Sequence, residues 1–409
     1  MLRIVYFFLV SLWVVISLPI FFIRKWYFNK KTPIWKKFYV PKLDKPLQKE
    51  VIWVHAVSLG EMKIALVLID RIRKELDVEF VITTQTDTGY AYAKKQQNFH
   101  VYYMPIDFFF LQKRFVKKIK PLSLFLIESD FWQEAMYQVK KNKGFIFLFN
   151  GKMSDRSHQR WKKVPFLSKK IFDLIDNFYV QDEEAKQKFE DFVPKQKIQI
   201  GGNFKIIKPS SSLKSFHPQL IGKKIVTIAC THEKEELELL GQLKELLAQD
   251  YTILIAPRHP ERFDTVYHEI QKVIPNLSLY TDEVLTQCVI VNKMGILSNI
   301  YPLSEFVVLG GSFSSKKGGH DIFEPILEGA YTYFGPFMQA QKELKKIALE
   351  YGLAEEVKTE NLLKTVEERL SQNEAKEDFL KKLNNFKNTS KDGFEGVFFH
   401  LLKQISAKK

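Results

Sequence analysis

Along residues 51–310 the apolar and polar positions come in alternating blocks. Short runs rich in β-branched and aromatic residues (VIWVHA from Val51, EFVITT from Glu79, HVYYMP from His100, LSLFLIE from Leu122, GFIFLFN from Gly144) are separated by stretches with helical spacing, such as EMKIALVLIDRIRKE from Glu61. Runs that are apolar at nearly every position belong to strands buried on both faces, and their regular alternation with helices predicts a parallel sheet. The segment GGNFKIIKPSSS, Gly201 to Ser212, breaks the rhythm with the composition of a connection. Beyond it the pattern restarts with KIVTIACT from Lys224, YTILIAP from Tyr251, CVIVN from Cys288 and EFVVLGG from Glu305, and ends in a Lys- and Glu-rich stretch that reads as closing helices. Two Rossmann-like α/β domains facing a cleft follow, with the carboxyl ends of both sheets open to ligand.

A second pattern occupies the N-terminus. Ile4 to Ile23, IVYFFLVSLWVVISLPIFFI, carries no charge. It is long enough to cross a bilayer core as a helix and too long for the apolar region of a signal peptide. Arg24, Lys25, Lys30, Lys31, Lys36 and Lys37 follow directly. By the positive-inside rule they place everything after a single-pass transmembrane anchor in the cytoplasm. The expected division is an anchor with its basic flank over 1–31, one domain over 32–205 and a second over 206–409.

Size and charge narrow the picture. A chain of 409 residues suits two cores. Lys and Arg number 62 against 47 Asp and Glu, and a formal net charge of +15 favours an anionic partner. The aromatics sit mostly in apolar runs rather than between basic residues, which argues against nucleic acid. Cys230 and Cys288 both fall in strand-like runs, so buried thiols are expected rather than a disulfide or a metal site. There is no H-E-x-x-H, P-loop, G-x-S-x-G or paired C-x-x-C motif, and the chain offers no pattern for a metal.

Three loops at strand ends carry candidate chemistry. In VIWVHAVSLGEMK, Glu61 opens a helix and can act as a general base or complement the helix dipole, while His55 reads as a core histidine. In IAPRHPERF, Arg258 and His259 can hold a phosphate or carboxylate. In GGSFSSKKGGHDIFEP, Asp321 and Glu324 have the spacing of a helix N-cap and its partner one turn on, and glycines let backbone approach a phosphate. The residues alone leave the reaction open, down to a catalytically silent, membrane-anchored polyanion binder.

These motifs, in this order, resemble the bacterial 3-deoxy-D-manno-octulosonic acid (Kdo) transferases of lipopolysaccharide biosynthesis. The likeness runs through HAVSLGE, ESDFW from Glu128, NGKMSDRS from Asn150, GNFK from Gly202, THEKEE from Thr231, PRHPERF from Pro257, MGIL from Met294 and GGHDIFEP from Gly318. It implies the GT-B glycosyltransferase fold and inverting, metal-independent transfer of Kdo from CMP-Kdo to a lipid A precursor at the inner membrane. No cofactor is implied, since CMP-Kdo is a substrate. By the same resemblance Glu61 is the general base. Arg258, His259, Met294, Gly295, Gly311, Ser312, Gly319, His320, Asp321 and Glu324 bind the donor. The clusters Arg24 with Lys25, Lys162 with Lys163, and Lys113, Arg114, Lys117, Lys118 and Lys120 are expected to face the acceptor or anionic inner-membrane lipids. The chain departs from the family where D-T-M-G-E-L is common and it reads NKMGIL, so that Ile296 replaces an acidic residue.

Overall fold

The structure, a computed structural model, describes residues 3, 6–8, 10–12, 14–16, 34–96, 99–207, 216–372 and 374–406. The first sheet is built from β1 (Val51–His55), β2 (Glu79–Thr84), β3 (His100–Tyr103), β4 (Pro121–Ile127), β5 (Phe145–Gly151), β6 (Asn177–Val180) and β7 (Ile198–Ile200). These strands run in the order β3-β2-β1-β4-β5-β6-β7, every pairing parallel. Alternate side chains explain the continuous apolar runs. Val51, Trp53, Ile146 and Leu148 enter one core, while Ile52, Val54, Phe147 and Phe149 enter a second core on the other face.

The second sheet contains β8 (Lys224–Thr231), β9 (Tyr251–Pro257), β10 (Leu277–Leu279), β11 (Cys288–Ile290), β12 (Ser304–Leu309), β13 (Tyr331–Phe334) and β14 (Ala354–Glu356). Its order is β10-β11-β9-β8-β12-β13-β14, again all parallel. In each sheet the strand order reverses beside the first strand, between β1 and β4 and between β8 and β12. Such a reversal leaves a crevice at the carboxyl ends of the strands. Cys230 and Cys288 are buried free thiols, as their strand positions predicted.

The chain divides into two compact units, Met1–Pro209 with Ser390–Lys409, and Ser210–Thr389. The sequence division gave all of 206–409 to the second domain, and the structure corrects this for the C-terminus. In the helix Ala375–Ser406, Phe394, Val397, Phe398, Leu401 and Ile405 form one stripe buried in the second core of the first sheet. Arg71 fastens it, pairing with Glu395 at 2.9 Å and lying 3.9 Å over the Phe398 ring.

Most of the expected anchor, and Arg24 and Lys25 with it, lies outside the described residues. Among the described residues no helix is long and apolar enough to cross a membrane. The described N-terminal positions dock on the first unit. Arg3 pairs with buried Glu134, the Tyr6 hydroxyl donates to Asp107 at 2.7 Å, and Val14 packs with Ile106 and Leu111. Phe8, Leu12, Val15 and Ile16 remain exposed.

Candidate active site

In the first unit the chain leaves β1 through Ala56 and Val57 and turns into the helix Leu59–Ile72, with Ser58 as N-cap. Glu61 completes a capping box. The Ser58 hydroxyl donates to Glu61 Oε1 at 3.0 Å, and the Val57 N–H donates to Oε2 at 2.8 Å. The carboxyl is nonetheless pushed up to about 7, chiefly by burial, with the nearby charges of Glu128 and Asp130 adding to it and the Val57 bond opposing. A half-buried carboxyl that titrates near neutrality suits a general base better than a plain cap.

Glu128, at the end of β4, sits across the β1/β4 crevice in a left-handed conformation with φ 67°. Its carboxylate lies between Lys152 at 3.0 Å and Lys205 at 2.7 Å. Burial alone would raise it, but the two ammonium groups hold it below the ordinary glutamate range. Asn150, also left-handed, accepts from the Phe204 N–H at 2.8 Å. ESDFW, NGKMSDRS and GNFK are thus brought to one place, which their spacing did not reveal. His55 is buried with Nδ1 2.8 Å from the Thr83 hydroxyl, and burial pushes it down to about 3, so it is a neutral core histidine as expected.

In the second unit a pocket of about 200 Å³ opens at the carboxyl ends of β8, β9 and β11. Arg258, Lys293, Met294, Gly295 and Glu324 line it beside buried Cys230. Two cations and a carboxylate around a small cavity match a phosphate with a hydroxyl-bearing sugar. Ile296 points away into the core with Val291 and Ile300, so the departure from the acidic family residue swaps a polar position for a packed one.

The glycine-rich stretch is used differently from the expectation. A Cβ on Gly310 would lie 2.7 Å from Thr231 Cα, and one on Gly311, where φ is +69°, would lie 2.7 Å from the His320 ring. This glycine pair therefore serves close packing of β12 against β8 and of loop against loop. The Gly311 N–H already donates to Glu235 at 2.7 Å. The Ser312 side chain is fully buried, donating to the Leu309 carbonyl and accepting from the Gly335 N–H. Neither group is presented to a ligand as predicted. The Gly319 N–H closes the loop onto the Gly311 carbonyl at 2.9 Å. The helix that follows is Phe323–Leu327, with Ile322 as N-cap. Asp321 stands one residue earlier and accepts from the Phe323 N–H at 3.0 Å. Only one turn of helix follows, so little dipole stands at its start.

Arg258 and His259 are exposed at the end of β9, and the Arg258 N–H is held by the Thr231 carbonyl at 3.0 Å. Three residues of THEKEE that had no assigned role surround them. His232 Nε2 is 2.9 Å from His320 Nε2. Buried Glu235 accepts from the N–H groups of His232, Gly311 and Phe313 at 2.9, 2.7 and 3.2 Å. Buried Glu236 takes both Arg262 guanidinium nitrogens at 2.6 and 3.1 Å, tying PRHPER to the helix Glu235–Leu243. The available signal was the adjacent acidic pair in the first turn after a strand, since two neighbours cannot both serve one face of a helix. Of the expected acceptor-side cations, Lys162 is exposed but paired with Asp191 at 2.8 Å, and Lys163 is exposed at a helix end. Among the described residues no group of three or more His, Cys, Asp or Glu is placed to hold a metal ion.

A family profile described as 3-deoxy-D-manno-octulosonic-acid transferase (kdotransferase) matches residues 33–207. A 3-deoxy-D-manno-octulosonic acid transferase from Chlamydia muridarum is 27% identical over 410 residues, covering 96% of this chain and 95% of that one. One from Rickettsia bellii is 30% identical over 345 residues, covering 80% and 81%. Among solved structures, a glycosyltransferase from Rickettsia africae superposes with a TM-score of 0.55 at 13% identity, over 88% of this chain and 100% of that one, which speaks to the fold alone. Two parallel-sheet units with such a neighbour make the fold GT-B. The chain belongs to the 3-deoxy-D-manno-octulosonic acid transferase family.

Proposed function

We propose that this Kdo transferase moves Kdo from CMP-Kdo to a lipid A precursor at the cytoplasmic face of the inner membrane, with inversion and with Glu61 as general base. The observation that carries the reading is the Glu61 carboxyl at the β1/β4 crevice, half-buried and raised to about 7. Glu61 takes the proton from an acceptor hydroxyl as its oxygen bonds to the anomeric carbon of Kdo. The bond from that carbon to the phosphate oxygen breaks on the opposite face, and CMP leaves with the electron pair. Arg258 and Lys293 at the pocket stabilise the phosphate charge that develops, and Glu324 is placed to accept from ribose hydroxyls. A single displacement of this kind inverts the anomeric centre and uses no cofactor.

Membrane placement is supported by surface chemistry. Phe8, Leu12, Val15, Ile16, Phe109 and Phe110 are exposed, and Lys113, Arg114 and Lys117 are exposed on the helix Phe109–Ile119. Exposed aromatics beside lysines match a surface resting on anionic headgroups.

The test is transfer from CMP-Kdo, generated during the assay, to a tetraacylated lipid A precursor, followed by mass spectrometry and anomeric NMR of the product. The reading expects Kdo-bearing lipid with inverted configuration. Absence of product from CMP-Kdo together with turnover of a UDP-sugar would reassign the chain to another GT-B transferase.

A further inference from the structure

A helix spanning the bilayer over Ile4 to Ile23 would put Arg3 on one side of the hydrocarbon and Arg24 on the other, about 30 Å apart. Described residues on both sides of that stretch are instead fastened to the first unit. Arg3 lays its guanidinium on buried Glu134, Nε at 2.9 Å and Nη2 at 2.7 Å, and lies 3.9 Å over the Tyr137 ring. The Tyr6 hydroxyl donates to Asp107, itself buried and accepting from the N–H groups of Glu134 and Ala135, both at 2.9 Å. Past the stretch, the Lys37 ammonium donates to the Gln85 carbonyl at 3.0 Å, and the Lys37 carbonyl accepts from the Ile106 N–H at 2.8 Å. Val10 and Val14 from within it meet Phe38 and Val40 from beyond it in one cluster with Ile106 and Leu111. Arg3 and Lys37 thus stand on the same side of any bilayer.

The described positions from Arg3 to Ile16 are helical, and the helix has two different faces. Arg3, Tyr6, Phe7, Val10 and Val14, three or four residues apart, turn toward the first unit, where the Phe7 ring lies 5.3 Å from that of Phe108. Phe8, Leu12, Val15 and Ile16 share the other face and are exposed. The exposed Phe109 and Phe110 continue this apolar surface, because Phe7 also touches Phe109 at 5.9 Å. Exposed Lys113, Arg114 and Lys117 on the helix Phe109–Ile119 border it. An apolar face bordered by cations fits the boundary between acyl chains and anionic headgroups.

The polar contacts on the docked face act as a latch. Arg3 and Glu134 neutralise each other, and a buried Glu134 left without its cation would be costly. The latch also reaches toward the crevice. Asp107 and Glu134 hold the start of the helix Gln133–Lys141, which directly follows ESDFW, the segment that carries Glu128 and Asp130 beside Glu61.

We infer that the helix from Arg3 to Ile16 does not cross the membrane but lies in the plane of an anionic leaflet, latched to the first unit by Arg3 with Glu134 and Tyr6 with Asp107, its Phe8, Leu12, Val15 and Ile16 face in the acyl boundary. This rests on the membrane placement proposed above and replaces the spanning anchor expected from the sequence. Two readouts test it on the full chain, and neither needs activity. In vesicles of phosphatidylethanolamine and phosphatidylglycerol, nitroxide labels on Phe8→Cys, Leu12→Cys or Ile16→Cys, Cys230 and Cys288 being buried, should all lie at one depth, about 5–10 Å below the headgroups. A helix along the bilayer normal would separate the first and last labels by about 12 Å. In spheroplasts of a Gram-negative host, a protease-site tag ahead of Met1 should be cut only after lysis. Graded depths, labels in water, or cutting in intact spheroplasts would each overturn the inference. Arg3→Glu should raise label mobility at position 8, and adding Glu134→Arg should lower it again; mobility indifferent to Arg3→Glu would remove the latch. A chain that fails to bind the vesicles at all overturns the membrane placement, and the inference falls with it.

Discussion

Glu61 does two things with one carboxyl group. It closes the capping box of the helix Leu59–Ile72 through Ser58 and Val57, and it sits in surroundings that keep its proton affinity high. As the proposed base it must be ionised, so turnover should rise with pH through about 7 and be lost as pH falls below it. Glu128 contributes to that raised value. Glu128→Gln removes a negative charge and leaves Lys152 and Lys205 uncompensated, so the acidic limb of the pH–rate profile should move to lower pH; an unmoved limb would separate Glu128 from the base. At Glu235, replacement by Gln leaves an amide NH2 facing backbone N–H donors. The second unit should lose about 1–3 kcal/mol of stability, read as a lowered thermal midpoint, and KM for donor should rise. Glu61, Arg258 and Glu324 could be picked out from residue type and position after a strand. His232 could not, because its partner His320 lies 88 residues away in sequence and only the β8/β12 pairing brings the two together.

Strands were the most legible elements, since apolar runs such as VIWVH and FIFLFN must be buried on both faces of a parallel sheet and are. The closing helices were also legible as helices, but an apolar stripe does not say which sheet it will cover. Phe394, Val397, Phe398 and Leu401 return to the first unit although they end the chain. The four described tryptophans, Trp35, Trp53, Trp132 and Trp161, belong to that unit and the second unit has none, so changes in tryptophan fluorescence on unfolding do not come from the second unit. Phe398→Ala should shift that transition by about 3–5 kcal/mol, as expected for emptying a fully buried aromatic site. A fluorescence transition indifferent to Phe398 would contradict the docking of the C-terminal helix. The glycine loop was misread for a similar reason. A sequence shows that glycines are present but not whether the missing Cβ makes room for a ligand or, as at Gly310 and Gly311, for the protein's own backbone and a histidine ring.

For the whole molecule the surplus of 62 basic over 47 acidic side chains, with exposed Phe109 and Phe110 on a lysine-bearing helix, supports the proposed work against an anionic bilayer. Replacing both phenylalanines by serine should weaken co-sedimentation with vesicles containing anionic phospholipid, and binding that is indifferent to the change would remove this helix from the membrane face. The central claim concerns proton transfer at Glu61 in Kdo transfer. It is tested most directly by the rate of transfer from CMP-Kdo to the lipid acceptor for wild type and Glu61→Ala, with Ki for CMP measured on both. The account predicts a loss of about a hundredfold or more in rate with Ki unchanged. A Glu61→Ala enzyme that keeps its rate to within a few-fold of wild type would contradict it, leaving Glu61 as a helix cap alone.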